Sequence, residues 1–259
     1  MRLKNKTNTQ QNAFITGHSR GLGKGLSSVL LNRGYQVYGC SRKGSDLKGQ
    51  ISNIACDLQD FQKIPSKLQA LLGEVETLEL VFLNAGILPP LKNMSETSIE
   101  ELRQIMDINV WPNKIILDWL LQSDIEIKQI ILMSSGAAVF GSKGWGGYAI
   151  SKAALNMLGK LYAHEFNNTH IIAIAPGLID TQMMDYLCNE ADSTKFPALK
   201  RIQNGHQNGI IQSPEDAATK ILNALPEFKN FGSGDFIDLR QIIAPEEFQE
   251  LMQSKKNKK

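Results

Sequence analysis

The chain has 259 residues, of which 42% are hydrophobic and 21% are charged, and its formal net charge is +2. This length fits one large α/β domain or two small ones, and so weak a net charge argues against a nucleic-acid-binding surface. No apolar run approaches the roughly 20 residues of a membrane span, and residues 1–12 lack the apolar core of a signal peptide. We therefore expect a cytoplasmic protein that binds neither nucleic acid nor membrane.

The cysteines and histidines argue against a metal site. Cys40, Cys56 and Cys188 lie far apart without a CxxC pair, and the four histidines have no metal-ligand spacing. An odd, scattered set of cysteines is typical of reduced thiols and not of a disulfide framework or a zinc site. We expect no metal. Basic residues collect near both ends of the chain, and this pattern predicts flexible, solvated tails over residues 1–11 and 254–259.

The first regular pattern is an apolar run at residues 13–15, a glycine-rich turn and a helical pattern from Leu22 to Leu30. A second strand is predicted over residues 36–40, which completes a βαβ unit. In such a unit the glycines allow a phosphate to approach the free N–H groups at the helix N-terminus. The turn has the form Gly-x-x-x-Gly-x-Gly, and the residues that we expect at a bound nucleotide are Gly17, Ser19, Arg20, Gly21, Leu22 and Gly23.

The residues after the second strand distinguish between the two nicotinamide dinucleotides. NAD-binding chains usually have an acidic residue here that accepts hydrogen bonds from the adenosine ribose, and its charge would repel a 2′-phosphate. This chain has Ser41, Arg42 and Lys43 instead, and Arg20 lies in the glycine turn. Because two guanidinium groups that converge on one place are suited to a phosphate, the sequence predicts NADP(H) as the cofactor. The alternative is that Arg42 and Lys43 only solubilise a loop.

Strands and helices continue to alternate along the chain. Strands are predicted at residues 52–56, 80–83, 130–133 and 171–175, and helices at residues 61–72, 98–121 and 148–166. Pro112 should end or kink the long helical pattern at 98–121. Repeated βα units with apolar strands predict an α/β fold, a Rossmann-type doubly wound parallel sheet with helices on both faces. Since no linker or repeat divides the pattern, we predict a single domain over residues 1–259.

Three polar residues around the start of the helical pattern at residues 148–166 suggest acid/base chemistry. Tyr148 and Lys152 are four residues apart, so a helix places them on one face. We expect the ammonium of Lys152 to lower the pKa of Tyr148, which is about 10 in free tyrosine, and to make the phenol a general acid. Ser135, just past the preceding strand, can hydrogen bond to an oxygen in the same cleft. Tyr-x-x-x-Lys alone is a common match, and a surface Tyr–Lys pair is the alternative.

Taken in order, these residues resemble the short-chain dehydrogenase/reductase family. The resemblance covers residues 13–239, and the family's spacing of serine and tyrosine selects Ser135 over Ser134. The markers are the run TGHSRGLG from Thr16 to Gly23, Asp57, Asn84-Ala85-Gly86, Asn109, Ser135, Tyr148 with Lys152, and Pro176-Gly177 with Thr181.

The resemblance implies an oxidoreductase and assigns a role to each marker. Tyr148 would be the acid/base, Ser135 would orient the substrate carbonyl, and Lys152 would hold the nicotinamide ribose. Asn109 would keep a water in a proton relay that ends at Lys152. The residues that the resemblance places around the cofactor are Asp57 and Leu58 at the adenine, Asn84, Ala85 and Gly86 in the adenosine pocket, and Pro176, Gly177, Ile179 and Thr181 at the carboxamide.

Within the family, the runs at residues 144–145, 152–158 and 231–238 are similar to sepiapterin reductase and the bacterial benzil reductases. Those enzymes reduce a side-chain ketone or one carbonyl of a vicinal diketone. The resemblance implies a lid over residues 180–212, with plain helix packing as the alternative. We expect substrate contacts from Trp145 and Met183 in addition to Ser135 and Tyr148. Asp235 or Asp238 is a candidate substrate anchor, with a structural aspartate in a turn as the alternative.

The leading hypothesis is an NADPH-dependent reductase of a small carbonyl substrate. A second hypothesis is a 3-oxoacyl-[acyl-carrier-protein] reductase, which would need a basic docking patch such as Lys195, Lys200 and Arg201. A third is a non-catalytic NADP-sensing regulator, although such proteins usually lose the Tyr–Lys pair that this chain keeps. The family resemblance also implies a homodimer or homotetramer joined through the helices at residues 98–121 and 148–166.

Overall fold

The structure, a computed structural model, describes residues 10–256, and one parallel sheet of seven strands is its centre. The strand order is β3-β2-β1-β4-β5-β6-β7, so the chain reverses direction across the sheet between β1 and β4. The predicted doubly wound parallel sheet is therefore confirmed. The strands are β1 (Asn12–Thr16), β2 (Gln36–Ser41), β3 (Ile51–Ala55), β4 (Thr77–Leu83), β5 (Glu126–Met133), β6 (His170–Ala175) and β7 (Phe236–Asp238).

Helices cover both faces of the sheet, which explains why the central strands are apolar on both sides. On one face, Leu68, Ile116 and Leu155 pack against the sheet, and on the other face Leu26 and Ile221 do so. The helices are α1 (Gly21–Asn32), α2 (Ile64–Leu72), α3 (Ile99–Asn109), α4 (Trp111–Gln122), α5 (Gly146–Tyr162), α6 (Gln182–Asp185), α7 (Leu199–Gln207), α8 (Pro214–Phe228), α9 (Arg240–Ile243) and α10 (Pro245–Lys256). Helices α2, α4 and α5 supply the first face, and α1 and α8 supply the second. No helix in this described range is long and apolar enough to cross a bilayer.

The helical pattern predicted at residues 98–121 is two helices. Ser98 caps the first through a capping box with Glu101, and the break falls at Val110, with φ −123° and ψ −62°. Pro112 lies in the first turn of α4, where its missing N–H costs no helical hydrogen bond. The prediction that Pro112 interrupts this helix is confirmed, and the break precedes it by two residues.

The predicted lid at 180–212 contains α6, a π-helical turn (Tyr186–Glu190) and α7. Near the C-terminus, α10 continues to Lys256 and so includes residues 254–256 of the predicted tail. At the other end, the carbonyl of Gln11 accepts a hydrogen bond from the N–H of Gln36 at 2.8 Å. The predicted tails at residues 1–9 and 257–259 lie outside the described residues.

Candidate active site

The turn between β1 and α1 is built from glycines that no other residue would replace without strain. Gly17 and Gly21 have φ angles of +71° and +50°, which L side chains rarely adopt. A Cβ on Gly23 would lie 2.2 Å from the carbonyl oxygen of Gly17. Helix α1 begins at Gly21, and no side-chain hydrogen bond caps this end. The backbone N–H groups at the start of the helix are therefore available to a ligand in the glycine turn. This arrangement fits the phosphates of a dinucleotide cofactor.

Thr16 joins this turn to the loop after β4. Its Oγ1 accepts hydrogen bonds from the N–H groups of Asn84 at 2.9 Å and Ala85 at 3.0 Å, and Asn84 Nδ2 donates to the Thr16 carbonyl at 3.0 Å. Sequence reasoning used Thr16 only as a family marker and missed this role. The available signal was a threonine at the end of a strand, directly before the glycines.

The structure places the predicted adenosine-side residues at the ends of β2 and β3. The Ser41 hydroxyl donates to the Lys43 carbonyl, and the Arg42 side chain is exposed. Asp57 is exposed and accepts the N–H of Gln59 at 3.1 Å, while Leu58, next to it, is buried. Arg42 and Asp57 are therefore open to a ligand at this edge of the sheet.

The Arg20 side chain, expected to bind a phosphate together with Arg42, hydrogen bonds with α6. Its Nη1 donates to Gln182 Oε1 at 2.9 Å, in the first turn of α6. This bond uses one of the five N–H donors of the guanidinium and directs the side chain toward α6. The convergence of Arg20 and Arg42 on one phosphate therefore stays a prediction.

The turn after β6 lies against the turn after β1. Gly177 has φ +93°, and the Thr181 Cγ2 atom would lie 3.2 Å from a Cβ on Gly21. The Thr181 hydroxyl also caps α6 by accepting the N–H of Met184 at 3.4 Å. Ile179 is buried and bridges to Gln212. The predicted carboxamide turn, from Pro176 to Thr181 with Met183 beyond it, is thus adjacent to the predicted phosphate turn.

The structure brings Ser135, Tyr148 and Lys152 together. Tyr148 is 7% exposed and its phenol lies near the Ser135 hydroxyl, which accepts the N–H of Ala137 at 3.1 Å. The Lys152 amine lies 5.7 Å from the centre of the Tyr148 ring and donates to the Met133 carbonyl at 2.7 Å. Helix α5 thus presents both side chains to the end of β5, as their spacing predicts.

Burial dominates the acid/base properties of this group. Loss of water raises the pKa of Tyr148 to about 12, although the hydrogen bond from Ser135 acts in the opposite direction. Lys152 is not among the causes of this shift, so the expectation that it lowers the pKa of the phenol is wrong. Burial also lowers the pKa of Lys152 to about 8, so the charge expected to act on the phenol is itself disfavoured. At neutral pH the phenol is protonated, which is the form that a general acid requires.

Asn109 is fully buried beside Lys152. A Cβ on Gly86 would lie 3.2 Å from Asn109 Oδ1 and 3.3 Å from Lys152 Nζ, so the two side chains approach the same point. The Asn109 amide is already used, since Oδ1 accepts the N–H of Ile87 at 2.8 Å and Nδ2 donates to Ser151 Oγ at 3.0 Å. Asn109 therefore supports the loop after β4, and its part in a water relay stays a prediction.

The two candidate anchor residues near the C-terminus bind their own turns. Asp235 Oδ2 accepts the N–H of Gly232 at 2.8 Å. Asp238 is buried and forms a two-point ion pair with Arg240, with Nε to Oδ1 at 2.8 Å and Nη2 to Oδ2 at 2.5 Å. These contacts favour the structural alternative for both aspartates.

A cavity of about 320 Å³ lies beside Tyr148, between the loop after β4, α3 and the start of α5. Its walls are largely apolar and include Ile87, Leu88, Pro89, Ile105 and Trp145.

The predicted lid packs against the loop after β4. Leu187, Phe196 and Leu199 of the lid form a cluster with Leu91 and Trp145. The Tyr186 hydroxyl accepts the N–H of Leu91 at 2.8 Å, and Lys195 pairs with Glu96 at 3.2 Å. These contacts connect the segment at 180–212 to the loop after β4.

Replacing Lys152 by Met should change how stability depends on pH. The unfolded chain keeps a proton on Lys152 up to about pH 10.5, whereas the folded chain loses it near pH 8, so rising pH favours the folded wild type. Between pH 8 and pH 10 the unfolding free energy of the wild type should rise by about 2 kcal/mol relative to Lys152→Met. Urea unfolding at several pH values without nucleotide measures this difference. Lys160→Met, at an exposed position of α5, keeps Lys152 and should follow the pH dependence of the wild type. Parallel curves for wild type and Lys152→Met would contradict the expectation.

The comparisons with known proteins agree with this geometry. The family described as short chain dehydrogenase matches residues 11–192, so the chain belongs to that family of oxidoreductases, which act on CH–OH and C=O groups with NAD(P)(H).

Three curated relatives are similar over most of their length. "Benzil reductase ((S)-benzoin forming)" of Bacillus subtilis is 25% identical over 243 residues, which cover 89% of this chain and 98% of the relative. "NADPH-dependent pterin aldehyde reductase" of Arabidopsis thaliana is 27% identical and covers 81% and 87% of the two chains. "3-oxoacyl-[acyl-carrier-protein] reductase FabG" of Chlamydia muridarum is 29% identical and covers 81% and 88%. The predicted likeness to benzil and pterin reductases within the family is confirmed.

Proposed function

We propose that the chain is an NADPH-dependent carbonyl reductase for a small ketone or vicinal diketone. The observation that carries this proposal is the meeting of half-buried Ser135 with buried Tyr148 and Lys152, where Tyr148 lines a largely apolar cavity. The phenol of Tyr148 gives its proton to the carbonyl oxygen, and Ser135 holds that oxygen in place. Reduced nicotinamide, when bound, supplies the hydride. Lys152 then restores charge balance next to the tyrosine as the phenolate forms.

The preference for NADPH rests on the residues after β2. Arg42 is exposed at the end of the strand, where an acidic residue would select NAD, and Lys43 follows it. A guanidinium at this place can bind a 2′-phosphate through charge-assisted hydrogen bonds. The pterin reductase relative is also NADPH-dependent by name.

The substrate class rests on the cavity and on the relatives. Apolar walls suit the organic groups on either side of a carbonyl, and the size lies within the range of small-molecule sites. The benzil reductase relatives act on a diketone by name. We infer that residues 180–212 are a lid, because their apolar cluster packs over Trp145.

The acyl-carrier-protein hypothesis has a named relative in its favour but a weak docking patch. Lys195 is neutralised by Glu96, and Arg201 lies near Asp238, whose charge is shared with Arg240. A protein-tethered substrate needs an uncompensated basic surface for its acidic carrier. The regulator hypothesis leaves the retained Ser135, Tyr148 and Lys152 unexplained.

We also propose that the chain forms a homodimer or homotetramer through α4 and α5. Large apolar side chains are exposed on these helices, namely Trp111, Ile150, Met157 and Leu161. An apolar surface of this kind is typical of a protein interface.

Purified protein mixed with NADPH and a panel of diketones, pterins and acetoacetyl thioesters tests the function. We expect oxidation of NADPH, followed at its absorbance maximum, to be fastest with diketones. A preference for acetoacetyl-carrier protein over every free ketone would favour the second hypothesis. No oxidation with any compound would contradict a reductase.

A further inference from the structure

Two fully buried polar side chains connect helix α3 to the residue proposed as the acid. Asn109, at the end of α3, and Ser151, on α5, are both shielded from solvent, and Asn109 Nδ2 donates to Ser151 Oγ at 3.0 Å. The Ser151 hydroxyl in turn donates to the backbone carbonyl of Tyr148 at 2.8 Å. A continuous chain of hydrogen bonds therefore runs from Asn109 to the backbone that carries the phenol.

The other end of this chain holds the loop after β4. Asn109 Oδ1 accepts the N–H of Ile87 at 2.8 Å, and Asn109 Nδ2 also donates to the Ile87 carbonyl at 3.0 Å. Ile87 and Tyr148 both line the cavity of about 320 Å³. Two walls of one cavity, which come from distant parts of the sequence, are thus joined through one amide and one hydroxyl.

The Ser151 hydroxyl also determines which way the Asn109 amide faces. A serine hydroxyl has a single proton, and that of Ser151 is used on the Tyr148 carbonyl. The Ser151 oxygen accepts from the other side, so Asn109 presents its NH₂ group to Ser151 and its oxygen to the N–H of Ile87. A reversed amide would place two donors against each other at Ile87, and a buried donor without an acceptor costs about 1–3 kcal/mol.

We propose that Ser151 is a positioning residue, which acts through Asn109 to set the distance between the Ile87 wall of the cavity and the phenol of Tyr148. This inference rests on the proposed function, because that distance affects the reaction only when a substrate lies between the two. Ser151 is fully buried, so it acts through its neighbours and not on the substrate itself. A misplacement of about 1 Å in a reacting group can cost about 100-fold in rate.

Ser151→Ala tests this assignment because it removes one hydroxyl and keeps the rest of the helix. Without the hydroxyl, the Asn109 amide loses one of its partners and holds Ile87 less firmly. We expect hydrogen exchange at the Ile87 amide to become about 5- to 50-fold faster relative to the amides of β4. For diketone reduction, kcat should fall about 3- to 30-fold, and the affinity for NADPH should stay within about twofold. Unchanged exchange at Ile87, or an unchanged kcat, would overturn the assignment.

Ser27→Ala is the matched control for the loss of a buried serine hydroxyl. Ser27 is also fully buried, and its hydroxyl donates to the carbonyl of Gly23, four residues earlier on α1, at 2.9 Å. Its replacement removes a hydrogen bond of the same kind and leaves the link to Ile87 intact. The Ile87 amide should therefore exchange as in the wild type. Equal acceleration in both variants would indicate a general loss of stability and would reject the specific role of Ser151.

A double-mutant cycle shows whether Ser151 acts through Asn109. Asn109→Ala breaks the same chain of hydrogen bonds at its centre, so Ser151→Ala should add less than about a twofold change in kcat and in Ile87 exchange to this variant. The exchange measurement needs no turnover and therefore applies even where Asn109→Ala is inactive. Losses that multiply fully in the double variant would show that the two residues act independently.

The exchange measurement also separates this inference from the proposed function. Turnover by the wild type, together with unchanged Ile87 exchange in Ser151→Ala, rejects the role of Ser151 and leaves the carbonyl reductase in place. Faster exchange in Ser151→Ala without turnover of any carbonyl compound by the wild type rejects the reductase, and with it a role of Ser151 in that reaction.

Discussion

Replacing Tyr148 by Phe is expected to lower kcat for ketone reduction by roughly 10²- to 10⁴-fold, the range of a lost general acid. The substitution removes only the phenolic oxygen, and the ring remains packed in its buried site next to Trp145. The affinity for NADPH should therefore stay within about twofold, because most of the proposed nucleotide contacts lie on the glycine turn and in the loops after β2, β3, β4 and β6. Steady-state kinetics and a fluorescence titration with NADPH measure the two quantities.

Tyr162→Phe is the matched control on the same helix. Tyr162 hydrogen bonds to Asp118 on α4, away from the proposed site, so its replacement should leave kcat unchanged. A Tyr148→Phe variant that retains kcat would remove the proposed acid. A variant that loses NADPH binding would show that Tyr148 acts on the nucleotide site and not on the substrate.

Replacing Arg42 by Asp is expected to weaken NADPH binding by at least about 10-fold while NADH binding changes little. The lost charge-assisted hydrogen bond is worth roughly 1.5–3 kcal/mol, and the new carboxylate would repel a 2′-phosphate in addition. NADH has a free ribose hydroxyl at that place, to which an acidic residue can hydrogen bond. Dissociation constants for both nucleotides give the comparison.

Arg33→Asp is the matched control, because it makes the same charge change before the start of β2. It should lower the affinity for NADPH and for NADH slightly and to the same extent. The Arg33 guanidinium binds Asn223 at 2.7 Å, at the opposite end of the strand from Arg42. Equal losses of NADPH and NADH affinity in Arg42→Asp would show that the 2′-phosphate is bound elsewhere. Arg20, held by Gln182 in the structure, would then be the next residue to test.

The order of β1 to β6 and of the helices between them was predictable because each carries its own local signal, whereas β7 and the helices after β6 were not predicted. Apolar strands of five to eight residues, glycine turns and the capping box at Ser98 act over a few neighbouring positions, so they can be recognised in the sequence. Placing Tyr148 and Lys152 on one face needed only the helical repeat. The break at Val110 was harder to locate, because Pro112 fits the first turn of a new helix as well as it interrupts an old one.

The contacts between distant segments were not predictable in the same way. Thr16 binds the loop after β4 across 68 residues, and Arg20 binds Gln182 across 162. From the sequence, Asp238 is a candidate anchor for the substrate, and only the structure shows its ion pair with Arg240. Each of these side chains has several possible partners, and only the packing of the whole chain selects one.

By itself, the sequence determined the α/β class, the glycine turn and the spacing of the serine, tyrosine and lysine, because these depend on backbone geometry over short stretches. The tertiary structure alone decided the electrostatic state of that group. Burial of Tyr148 and Lys152 outweighs their proximity and shifts both pKa values toward the neutral forms. Desolvation depends on everything that surrounds a side chain, and that environment comes from residues far apart in the sequence.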